Sequence, residues 1–132
     1  MAEQPSRRRI LFVDDEESIR LTLPRILAKN GFEVTSLARL ADALAEIRAQ
    51  RYDVLLSDLN LPDIDGGFAL IEEMRKNQPH CVNFILTGYP AEESLERAKV
   101  HEVAHYFTKP VEIEDLVQTI KEKLYARDSR PD

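Results

Sequence analysis

A chain of 132 residues, 43% hydrophobic and 32% charged, has the length of one domain and enough apolar side chains for a core. Its formal net charge of -6 argues against bulk electrostatic binding to a nucleic-acid backbone, and no apolar run approaches the roughly 18 residues that cross a bilayer. The single cysteine, Cys81, excludes an internal disulfide, and residues 1–9 are polar and then basic, unlike a secretory signal, so the expected location is the cytoplasm.

Strand and helix signals alternate five times along the chain. Ile10, Leu11, Phe12 and Val13 form a short apolar run, the pattern of a strand covered on both faces. Ile19, Leu23, Ile26 and Leu27 recur at helical spacing over residues 17–30, and Gly31 follows as a C-cap. Pro24 falls inside that helix and crowds the carbonyl of Arg20, which predicts a kink, a tightened first turn or a later start. Residues 32–35 read as a strand near an edge, and Leu40, Ala43, Leu44 and Ile47 mark a second helix.

Residues 53–57 read as the central strand, and Phe68, Leu70, Ile71 and Met74 as a third helix that ends before Pro79. A fourth strand spans 82–86, a fourth helix 90–100 with proline near its first turn, and a fifth strand 103–107. Ile113, Leu116, Val117, Ile120 and Leu124 stripe the last helix. This alternation predicts an α/β fold, a doubly wound five-stranded parallel sheet with right-handed crossovers and a site beyond the carboxyl ends of its strands. The expected division is a flexible N-terminus at 1–8, one domain at 9–126 and a flexible tail at 127–132.

That topology gathers Asp14 and Asp15 after strand one, Asp58 after strand three, Thr87 after strand four and Lys109 after strand five. Three carboxylates this close stay ionised only with cations among them. An oxygen-only set suits a hard divalent ion, Mg²⁺ above all with Mn²⁺ as a substitute, and Lys109 supplies a point charge. No His or Cys stands beside them in sequence, which argues against zinc; His80, His101 and His105 read as surface or packing residues. The other aspartates, Asp53 among them, default to caps, turns or solvated faces, and Cys81 to a buried structural thiol.

Four segments carry a resemblance. They are Phe12-Val13-Asp14-Asp15-Glu16, the run from Ser57 and Asp58 through Asn60, Pro62 and Asp65 to Gly66, Leu86-Thr87-Gly88, and Tyr106-Phe107-Thr108-Lys109-Pro110. In this order and spacing the chain resembles the receiver domains of two-component response regulators, of the chemotaxis-regulator type, over about residues 9–124. The resemblance implies a flavodoxin-like (βα)5 fold with strand order 2-1-3-4-5. It implies that Asp58 is a phosphoacceptor, that Asp15 and Asp58 bind Mg²⁺ with the Asn60 backbone carbonyl, and that Asp14 acts largely through water. Lys109 would pair with Asp58 and then with the phosphoryl oxygens, Thr87 would turn inward to them, and Tyr106 would move from an exposed to an inward rotamer.

The implied partners are a histidine kinase or phosphotransfer protein as donor and a downstream effector, with the switched surface on helix 4, strand 5 and helix 5. That surface is also a possible homodimer contact; neither direct nucleic-acid binding nor a membrane is expected. Such a domain is not an enzyme on an external substrate and catalyses only its own phosphotransfer and slow dephosphorylation. Asn60 and Tyr89 occupy positions that tune hydrolysis in the family. A shielding Tyr89 predicts a phosphoryl lifetime of minutes or longer, whereas a Tyr89 lying on the loop surface predicts nothing.

Gly67 is an apparent one-residue insertion after Gly66, which leaves the start of helix three open, and Val111 replaces a usual aromatic. Two other functions compete. A Mg²⁺-dependent phosphatase of the haloacid-dehalogenase type would carry its nucleophile after strand one with a second aspartate two residues on, unlike the adjacent Asp14 and Asp15. A degenerate receiver serving only as a platform would not be expected to keep the whole acid, hydroxyl and lysine set. About eight residues follow Leu124, so either a stand-alone receiver or a piece of a longer regulator is expected.

Overall fold

The apolar runs become strands β1 (Arg8–Val13), β2 (Phe32–Leu37), β3 (Val54–Ser57), β4 (Val82–Thr87) and β5 (His105–Thr108). Between and after them lie α1 (Glu17–Lys29), α2 (Leu40–Ala49), α3 (Gly66–Asn77), α4 (Glu92–Val100) and α5 (Ile113–Asp128). The computed structural model describes residues 7–59, 66–88 and 90–129. Neighbouring strands pair in parallel in the order β2-β1-β3-β4-β5, the doubly wound arrangement expected from the sequence.

Alternate side chains of each strand enter opposite layers. Ile10, Phe12, Phe84 and Leu86 pack with Leu23 and Leu27 of α1 and with Leu116 and Ile120 of α5. Leu11, Val13, Leu55 and Ile85 pack instead with Ile47 of α2, Ile71 and Met74 of α3 and Ala98 of α4. β1, β3 and β4 are thus buried on both faces, and each fully buried large apolar side chain contributes about 1.5–3 kcal/mol. Gln78 closes the far end of the second layer. Its amide donates to the carbonyls of Ile47 and Gln50 and accepts from the Tyr52 N–H, so three backbone groups are satisfied by one side chain.

Several boundaries differ from the sequence expectation. α1 runs from Glu17 to Lys29 through Pro24 without interruption, so the later start is not adopted. Gly31 does take the left-handed conformation, with φ of +96°. Pro90 stands outside α4, which opens at Glu92 because Ala91 is extended. β5 begins at His105 and not at Val103, because Glu102 turns left-handed and the Val103 N–H closes back on the Ala98 carbonyl. Arg8 is already in β1, and α5 continues through Arg127 to Asp128.

That last turn is fixed from outside the helix. Arg127 bonds the Asp53 carboxylate at 3.2 Å and reaches the Asp53 and His80 carbonyls. Asp53 also accepts the Arg9 N–H at 2.9 Å. This aspartate is therefore an ion-pair hub at the end of the sheet away from the acidic cluster, not a solvated residue.

Candidate functional site

The parallel ladder continues one step past the strand ends and thereby sets the site. The Asp14 N–H donates to the Leu37 carbonyl at 3.1 Å, and the Asp58 N–H to the Val13 carbonyl at 3.0 Å. The Lys109 N–H donates to the Thr87 carbonyl at 2.8 Å. Three candidate site residues from distant segments are thus held by backbone bonds that any sequence could make; only their side chains are special.

Asp14, Asp15 and Asp58 can each offer a carboxylate oxygen with all three atoms within 4.8 Å of one another. Asp14 and Asp58 are buried, whereas Asp15 is exposed at the mouth. Lys109 Nζ lies 2.8 Å from Asp14, 3.1 Å from Glu16 and 3.6 Å from Asp58. Burial pulls the Lys109 proton affinity down, but the Asp14 hydrogen bond and charge, followed by the Asp58 charge and Glu16, outweigh it and hold this ammonium above the ordinary lysine range. The hydrogen bond and charge of Lys109 in turn hold the Glu16 carboxyl below its ordinary value.

Arg20 bonds the Asp14 carbonyl at 2.8 Å, so four carboxylates, with Glu16, face two cations. The excess fits a divalent cation, and the all-carboxylate donor set selects a hard one. Glu16 and Arg20 were not singled out from sequence. Glu16 is the neighbour of an acidic pair, and only the fold brings Lys109, 93 positions away, against it.

Thr87 is fully buried at the end of β4, and its strand partner is Thr108. Tyr106 pairs with Ile85, two residues before Thr87, so Thr87 and Tyr106 are diagonal neighbours on one face of the sheet. Tyr106 is half-buried, and its hydroxyl is 2.6 Å from Ser94 Oγ on α4. Phe107 points into the opposite layer, as its place in the strand requires. Asn60 and Tyr89 lie outside the described residues.

Gly67 has a structural reason absent from the sequence pattern. A Cβ there would come within 2.6 Å of the Asp58 carbonyl oxygen and 2.8 Å of Leu59 Cα. The start of α3 is packed directly on the backbone of Asp58 and allows no side chain at that point. Gly88 is different, since a Cβ would meet Lys109 Cδ at an ordinary 3.8 Å.

The site opens into a groove of about 850 Å³ between α1 and the turn before α5. Asp15, Glu16, Asp58 and Lys109 form its polar end, and Ile19, Leu23, Ile26, Val111 and Ile113 its apolar wall.

An acidic cluster at the carboxyl edge of a 2-1-3-4-5 sheet, with a lysine and a buried hydroxyl beside it, is the arrangement of a signalling receiver fold. The chain belongs to the response regulator receiver domain family, whose model matches residues 10–121. It is 34% identical over 106 residues to a response regulator receiver protein of Anaeromyxobacter, covering 80% of this chain and 44% of that one. It is 31% identical to the DNA-binding transcriptional regulator NtrC of Escherichia coli, over 83% of this chain and 23% of the relative. The chain therefore spans less than half the length of these relatives. A receiver domain structure from Methanospirillum hungatei is 34% identical and superposes with a TM-score of 0.88, covering 93% of this chain and 98% of that one. The domain is a receiver of two-component phosphorelay signalling.

Proposed function

We propose that Asp58 accepts a phosphoryl group from a histidine kinase or phosphotransfer protein, with Mg²⁺ held by Asp14, Asp15 and Asp58. The observation that carries this is the convergence of three carboxylates within 4.8 Å beside Lys109 at the open end of a groove. The cation, when bound, supplies positive charge that offsets the carboxylates and the incoming phosphoryl oxygens; Mn²⁺ can substitute, and the Asn60 carbonyl would complete the set.

Asp58 Oδ attacks phosphorus, and the donor P–N bond breaks with its electron pair leaving on the imidazole. Lys109 then leaves its contacts with Asp14 and Glu16 and pairs with the new phosphoryl oxygens. The Thr87 hydroxyl donates to one of them, and Tyr106, its diagonal neighbour, follows. The energy that shifts the domain between states is the gain in these charge-assisted bonds.

The apolar wall of the groove, running directly from Asp58, suits a helix of the donor that carries the phosphohistidine. The output side is α4, β5 and α5. Leu95, Val100 and Tyr125 are exposed there, and Glu112, Asp115 and Glu122 line the cleft between β5 and α5, a pattern suited to an effector or a second copy. No helix among the described residues is long and apolar enough to cross a membrane, and we place the domain in the cytoplasm as a switch that catalyses only its own phosphotransfer and dephosphorylation.

The test is incubation with acetyl phosphate and Mg²⁺. One added phosphoryl group by intact mass, lost with chelator and in Asp58→Asn, is expected. No addition, undiminished addition in Asp58→Asn, or multiple turnover on a phosphate ester overturns the proposal.

A further inference from the structure

Ser94 stands in the first turn of α4, where the sequence gives it no role. Its Oγ makes three hydrogen bonds: with the Ala91 carbonyl at 2.8 Å, the Ala91 N–H at 3.3 Å and the Tyr106 hydroxyl at 2.6 Å. The Ser94 hydroxyl thus joins the backbone of the first turn to the Tyr106 hydroxyl, and either of the two hydroxyls can donate to the other.

The remainder of α4 is held differently. Arg97 lies 4.3 Å over the ring of Phe68, and His101 stacks on that ring at 5.1 Å, which fastens the later turns to α3. Phe68 follows Gly67, the residue packed against the Asp58 backbone. One end of α4 is thus tied to α3 through aromatic packing and the other to β5 through one hydroxyl pair.

We infer that Ser94 is a positioning residue that locks Tyr106 to the first turn of α4, so that the ring and that turn move as one unit. Tyr106 cannot change rotamer without breaking this bond or carrying residues 91–94 with it. The inference rests on the proposal that phosphorylation of Asp58 moves Thr87 and Tyr106, and it adds the contact that passes the movement to a helix.

Ser94 also caps α4 by accepting the Ala91 N–H, so Ser94→Ala alone could loosen the turn for that reason. Tyr106→Phe keeps the cap and the ring and removes only the hydroxyl that pairs with Ser94. Amide hydrogen exchange over residues 92–100, with and without acetyl phosphate and Mg²⁺, separates the two roles.

In the unlabelled protein, Tyr106→Phe is expected to raise exchange at 92–95 severalfold, and adding it to Ser94→Ala to raise it no further. In the labelled protein, the phosphoryl-dependent change over 92–100 should shrink at least threefold in Ser94→Ala. Labelling of Asp58 in that variant should stay within twofold of the parent, and Ser94→Thr should restore the change. Additive effects of the two substitutions, or a full phosphoryl-dependent change in Ser94→Ala, overturn the inference. Failure of the parent protein to label at all strikes the phosphoacceptor proposal instead, and the additivity result still decides for or against the bond.

Discussion

Gly67→Ala places one methyl group where the structure leaves no room. The new Cβ would lie 2.6 Å from the Asp58 carbonyl oxygen and 2.8 Å from Leu59 Cα, and both are backbone atoms. Reaching an ordinary 3.4 Å contact requires a relative shift of about 0.8 Å between α3 and the backbone of Asp58 and Leu59. Overpacking of this kind costs about 1–3 kcal/mol. Alanine returns up to about 1 kcal/mol through its helix propensity, less in a first turn, so a net loss of about 1–2 kcal/mol is expected. A misplacement near 1 Å at a reacting group can slow chemistry by about a hundredfold, so acetyl phosphate labelling should fall by one to two orders of magnitude. Urea unfolding and the time course of labelling by intact mass measure both quantities. A Gly67→Ala protein as stable as its parent and labelled at the parent rate would refute the close contact and return Gly67 to a neutral insertion.

Other expectations follow from the charges and burial. Lys109→Met should bind Mg²⁺ severalfold more tightly, because a cation leaves the acidic cluster, while labelling falls at least tenfold; calorimetry and mass spectrometry check both. Tyr52 is pushed up from 10.0 to about 12 by burial and by its hydrogen bond to Glu46. Its contribution to stability is therefore complete below pH 10 and lost as pH rises from 10 towards 12, and ultraviolet titration should show one late tyrosine absent from Tyr52→Phe. Burial raises the Cys81 thiol far above the ordinary range, so thiol reagents should modify it only as fast as the protein opens. Arg127→Ala should cost about 0.5–1 kcal/mol in urea unfolding by releasing Asp53 and the last turn of α5.

The sheet was legible because its central strands are buried on both faces, so 10–13, 54–56 and 84–86 are apolar without interruption. The convergence of Asp14, Asp58, Thr87 and Lys109 followed, since parallel strands place their carboxyl ends together. What the sequence hid depended on contacts between distant segments. Glu16 gains its partner from the far end of the chain, and Ser94 looks like any polar residue among Glu92, Glu93 and Glu96. Asp53 and Arg127 look solvated until the fold brings β1, β3 and α5 together. Boundaries failed where one residue left the regular backbone, as Glu102 does before β5. Gly67 stands out in the sequence as an extra residue, but its reason is a carbonyl nine positions back.

The most direct test of the account is the position of the phosphoryl group. After acetyl phosphate and Mg²⁺, borohydride reduction of the acyl phosphate and peptide sequencing by mass spectrometry locate the modified residue. Reduction at Asp58 alone is expected; modification at Asp14, Asp15 or several carboxylates would contradict phosphoacceptance by Asp58.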